Sequence, residues 1–325
     1  MDEIAGNSAL SLTAIPLAFI VGFALRRGSV CMVEGARQAI ILGRFVRLRA
    51  FAIAAGAAGV IILPLSWLIP STGMLAPSFP ITIETIAGGV LFGLGARING
   101  GCQFGTLGRL AGGELNFLVT CLAGVAGAST TMHATAMAGP SESLLTSPTI
   151  PGFVVFALFL ALAAPAFRAR YWRNIGRALT HRRAQLSPLS AMLVVGIAGG
   201  ILYTLAGSWT IGSLLNREGA WLLGDATNHA GSKAIIGALS LMGGAVYAAV
   251  WTRSFRLRLP TLAALTRNAP GGMLMGAGAA MVPGGNGTLL LYSMPSASPS
   301  GWVAFAAMTA AIALTFLPRR KGGRI

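Results

Sequence analysis

Apolar runs of about 17–20 residues recur along this 325-residue chain, separated by short bursts of arginine. That alternation constrains the fold more than any other feature. Residues 50–69, 115–132, 150–167, 234–252 and 301–317 are continuous apolar stretches, each near the roughly 20 residues that a membrane-spanning helix needs. Charged residues make up only 10% of the chain, against about 25% in a soluble domain, and the mean hydropathy is +0.73. So few charges cannot cover a water-facing surface of this size, which excludes a soluble enzyme. The chain is expected to be all-α, a polytopic membrane protein.

The distribution of charge gives the topology. The net charge is +16, which in a soluble protein would suggest nucleic acid. Here the basic residues sit between apolar spans instead, so no nucleic-acid partner is expected. Arg44, Arg47 and Arg49 form one cluster, and Arg168, Arg170, Arg173, Arg177, Arg182 and Arg183 a second. Arg253, Arg256, Arg258 and Arg267 form a third, and Arg319, Arg320, Lys321 and Arg324 a fourth. Stretches 1–8, 70–84, 133–149 and 290–300 carry no basic residue. The positive-inside rule places the clusters in the cytoplasm, the N-terminus outside and the C-terminus inside. The first residues lack a basic n-region, so no cleavable signal peptide is expected.

Connecting these points requires four more crossings, at about 9–42, 85–111, 189–216 and 270–292. Each is interrupted by a glycine-rich or polar break: Arg27-Gly28-Ser29, Asn99-Gly100-Gly101, Ala206-Gly207-Ser208 and Pro283-Gly284-Gly285. Nine crossings result, five straight and four broken. The broken ones form an internal repeat. Gly22 lies nine residues before Cys31 and Gly93 nine before Cys102, while Arg26 and Arg97 each lie five before their cysteine. Units three and four keep the glycine rhythm without the thiol and run in the opposite direction, the single helix at 150–167 producing the inversion. One membrane transport domain is therefore expected over 1–325, with halves at 9–149 and 188–318. Two inverted halves with broken helices form the plan of many transporters, whose path lies at the repeat interface.

The segments Gly28-Ser29-Val30-Cys31-Met32 and Gly100-Gly101-Cys102-Gln103-Phe104-Gly105-Thr106 resemble the cysteine-bearing repeats of the YeeE/YedE sulfur transport family. The resemblance runs from about residue 10 to 317. It implies uptake of thiosulfate, or a related small sulfur-containing anion, across the bacterial inner membrane, without a cofactor. It further implies that Cys31 and Cys102 pass the ion along by S–H hydrogen bonds. The family commonly has another cysteine in the last repeat, where this chain has Asn286, or Gly285 in the alternative register. Membrane lipids and a cytoplasmic sulfur-carrier protein complete the expected partners.

Independently of any family, a thiol just after a glycine break lies at the start of a half-helix, where free N–H groups and the dipole favour an anion. The bland alternative is a small buried hydrophobe; it suits Cys121, which has no repeat counterpart. Arg26 and Arg97, within the broken crossings, either attract an anion or reach backbone carbonyls and the interface. Arg27, Arg37 and Arg109 share that choice. Glu34 either pairs with Arg27 or Arg37 or binds a proton. Gln103, beside Cys102, and Asn286 complete the expected path. His133 and His229 suggest no metal site, and no nucleotide-binding motif occurs. Two other functions remain open: a channel or permease for another small solute, and a membrane enzyme transferring sulfur on Cys31 or Cys102.

Overall fold

The computed structural model describes residues 2–69, 75–132, 143, 145–207, 212, 214, 217, 221, 232–282 and 284–317. His133, His229 and the third break beyond Gly207 lie outside the described residues, apart from Gly212, Leu214, Arg217 and Trp221. Among the described residues, twelve α-helices of eight or more residues carry the fold. In the first half these are α1 (Asp2–Gly28), α2 (Met32–Leu42), α3 (Val46–Leu68), α4 (Ile83–Asn99), α5 (Gln103–Leu110) and α6 (Asn116–Met132). Then come α7 (Ile150–Ala163), α8 (Ala169–Thr180), α9 (Pro188–Ala206), α10 (Ser232–Trp251), α11 (Leu262–Met281) and α12 (Pro299–Leu314). Among the described residues the only β-type pairing is an isolated bridge between Glu114 and Arg258. Among the described residues five segments are long and apolar enough to span a membrane, and α6 and α12 are shorter apolar helices. The molecule is a polytopic, all-α membrane protein.

The breaks appear where the sequence places glycine. Gly100 caps α4 in a left-handed conformation, φ 76°, which costs a residue without Cβ almost nothing. Ser29 makes the same reversal after α1 with φ 47°. The second halves, α2 and α5, then begin directly after Cys31 and Cys102. In the fourth unit a short turn at Asn286–Thr288 continues as a π-turn over Leu289–Ser293 instead of an α-helix.

Packing pairs each unit of the first half with a unit of the second. The first helix of unit one, α1, lies on the last helix of unit three, α10, and α3 lies on α9. In the same way α4 lies on α12 and α6 on α11. First helices also meet, α1 with α9 and α4 with α11. The small-residue seams repeat too. A Cβ on Gly89 or Gly93 would come 2.6 Å from the Ala304 or Met308 carbonyl oxygen of α12. In the other pair a Cβ on Gly196 or Gly200 of α9 would come 2.5 Å from Ala54 and 3.1 Å from Ala58 of α3. Identical four-residue spacing on α4 and α9 lets both crossings pack backbone against backbone.

Two expectations are corrected in detail. The helix that carries the fourth broken crossing starts at Leu262, ahead of 270, because Pro270 is accommodated inside α11. Proline forfeits one backbone bond there, and Gly271 and Gly272 on the contact side let α4 and α6 pack tightly around it. The second basic cluster, expected only as a cytoplasmic stretch between spans, contains α8, whose Tyr171 and Ala178 are buried while Arg170, Arg173 and Arg177 are exposed.

Candidate functional site

Cys31 and Cys102 are far apart in sequence, yet each begins a half-helix and the two sulfurs lie within interaction range of each other. Cys102 is fully buried and Cys31 half-buried. The Cys31 sulfur also faces the N–H groups of Val33 and Glu34, at the start of its own helix, and of Cys102. The Cys102 sulfur accepts from Met32 N–H at 3.2 Å and faces Gly105 N–H. Each thiol is thus held partly by the first amides of the other unit's half-helix. Two dipole ends converge on the pair, concentrating donors and positive potential without a fixed cation.

The break bearing Cys102 is anchored by a buried polar network that sequence reading missed. Asn99 donates from Nδ2 to the Gly101 carbonyl at 2.8 Å and to Thr106 Oγ1 at 2.9 Å. Its Oδ1 accepts from Thr120 Oγ1 at 2.7 Å, and Thr120 Oγ1 accepts from Asn268 Nδ2 at 3.2 Å. The network joins the break to α5, α6 and α11. Its only sequence signal is polar residues within apolar spans, Asn99 immediately before Gly-Gly-Cys being the clearest.

The fourth unit reaches the thiols through Gln103. Gln103 Oε1 accepts from Gly287 N–H at 3.4 Å, and its carboxamide also lies against Gly285 and Gly212. Gly285 precedes its turn with φ −74° and ψ −179°, almost the φ −73° and ψ −178° of Cys102. Gly285, not Asn286, is therefore the structural counterpart of the cysteines. Asn286 corresponds to Gln103 and is fully buried, with neither amide atom hydrogen-bonded among the described residues.

A family model described as sulphur transport matches residues 27–314. The chain belongs to the YeeE/YedE sulphur transport family. Among curated proteins none matches the chain. In this sulphur transporter the remaining expected site residues lie apart from the thiols. Arg26 donates to Ser254 Oγ at 3.0 Å and packs on Gly112. Arg27 donates to the carbonyls of Ala178 and His181 at 2.7 and 3.2 Å, closing the end of α8. Arg97 stacks on Phe316, 4.6 Å from the ring centroid. All three bind segments at the arginine-rich end of the molecule. Glu34 pairs with Arg37 at 2.7 Å and accepts from Gln38 at 2.8 Å. Cys121 lines an apolar cavity of about 90 Å³, with Gln103 on its wall.

Proposed function

We propose that this transporter carries thiosulfate into the cytoplasm across the bacterial inner membrane, along a path that includes Cys31 and Cys102. The observation that carries this reading is the contact between two sulfurs, each set at the start of a half-helix. Helix N-termini attract an anion, and S–H groups are weak donors suited to the soft terminal sulfur of thiosulfate. Conduction needs binding that is favourable and also weak enough for release, and two thiols side by side let the ion exchange one donor for the next. No bond to sulfur is made or broken in this passage. With the basic clusters in the cytoplasm, passage along the path toward them is uptake.

Uptake of radiolabelled thiosulfate into inverted or right-side-out vesicles tests the reading. Cys102→Ala should abolish uptake and Cys31→Ala should reduce it at least tenfold, while Cys121→Ala stays near wild type. A well-expressed double alanine variant at Cys31 and Cys102 with full uptake would refute the thiol path.

A further inference from the structure

We propose that the Gln103 carboxamide stands in for the side chain that Gly285 lacks, making it a specificity-determining oxygen-binding group of the path. Three described half-helix starts are comparable: two carry thiols, at Cys31 and Cys102, and the third, at Gly285, has almost the backbone geometry of Cys102 and carries no side chain. The space that a side chain at Gly285 would take is already filled. A Cβ there would lie 2.7 Å from Gln103 Oε1 and 3.0 Å from Nε2, closer than non-bonded atoms tolerate. The carboxamide reaches this place from the second unit and is held by Gly287 N–H. Gly212, of the third unit, closes on it from another side. Three units thus meet on one amide. Beside it, Asn286 offers a second buried amide whose Nδ2 and Oδ1 have no hydrogen-bond partner among the described residues.

The chemical consequence is a change of donor type along the path. An amide gives two directional N–H donors suited to hard oxygen atoms, whereas a thiol gives one weak donor suited to soft sulfur. Gln103 Oε1 is engaged by Gly287 N–H, which leaves Nε2 as the donor end of that amide. An oxyanion with a terminal sulfur would be met by its oxygens at Gln103 and Asn286 and by its sulfur at Cys102. The inference rests on the transport reading above.

A side-chain exchange tests it. Gly285→Cys should cut thiosulfate uptake at least tenfold, because the new side chain strikes the carboxamide, and Gln103→Ala should cut it to a similar extent. The double variant Gln103→Ala/Gly285→Cys should recover at least half of wild-type uptake. Excess sulfate, which presents oxygens only, should compete more strongly with thiosulfate in wild type than in the double variant. Gln103→Glu, of the same shape, should reach the membrane normally and lose uptake by repelling the anion. Full uptake in either Gln103→Ala or Gln103→Glu, a double variant no better than the worse single one, or unchanged sulfate competition overturns the inference. If the Cys31 and Cys102 variants lose uptake and those results appear, this inference alone falls. If the cysteine variants keep uptake, the transport path itself is wrong.

Discussion

Asn99 is fully buried and uses both ends of its amide on protein, so its role is to position Cys102, not to meet the ion. Deleting it leaves the Gly101 carbonyl and the Thr120 hydroxyl each short of a partner in a medium without water. Such orphaned groups cost about 1–3 kcal/mol each. Asn99→Ala should therefore lower the unfolding temperature of the detergent-solubilised protein and reduce maximal uptake. Asn99→Asp, which keeps only the acceptor, should be no better. Normal uptake and stability in Asn99→Ala would make the network dispensable. Other residues at this scale changed meaning once placed in space. Matched offsets in the sequence were enough to single out Cys31 and Cys102. They could not set the register of the last unit, because Gly285 and Asn286 differ by one position in a glycine run with no side chain to mark phase. Arg26 and Arg97 look like intramembrane charges at repeated positions. Their long stems carry the guanidinium to Ser254 and Phe316, residues remote in sequence that no spacing rule connects.

The elements show why small residues recur in this chain. Gly89 and Gly93 of α4, like Gly196 and Gly200 of α9, set how closely the inverted partner can approach. Without a hydrophobic drive between helices in lipid, that close packing is the main source of association. Gly93→Leu should force α4 and α12 apart, an overpacking that costs about 1–3 kcal/mol. Thermal unfolding monitored by size-exclusion chromatography should show the loss, and an unshifted transition would mean that the seam is loose. The straight spans were legible from hydropathy alone, since apolar length is what lipid demands. The breaks were legible because glycine marks them. Helix α8 was not, because a basic interfacial helix and a basic loop look alike when charges are counted. Only Tyr171 and Ala178, seven residues apart and both buried, reveal its inward face. Pro270 misled in the opposite sense, since its neighbours absorb the missing bond inside α11.

At the scale of the whole molecule, every first helix and every last helix of a unit in one half has its partner in the other. The orientation that accompanies this arrangement can be read by labelling. Cysteines introduced at the exposed positions Ser147 and Gln185 should divide cleanly in intact cells: Ser147→Cys should react with a membrane-impermeant maleimide, and Gln185→Cys only after permeabilisation. Reversed labelling would turn the molecule, and the proposed direction of uptake, upside down. Helix α7, which packs against α3, stands between the two halves. The reciprocal pairing also governs how the chain matures while the ribosome is still making it. Unit one enters the bilayer with its seams bare and closes them only when α10 has emerged. Unit two was made earlier than either of its partners and waits a similar length of chain, until α12 is inserted. A nascent chain stalled before residue 299 would therefore leave α4 facing lipid along Gly89 and Gly93, so a seam set near residue 90 is closed by a helix about 200 residues later.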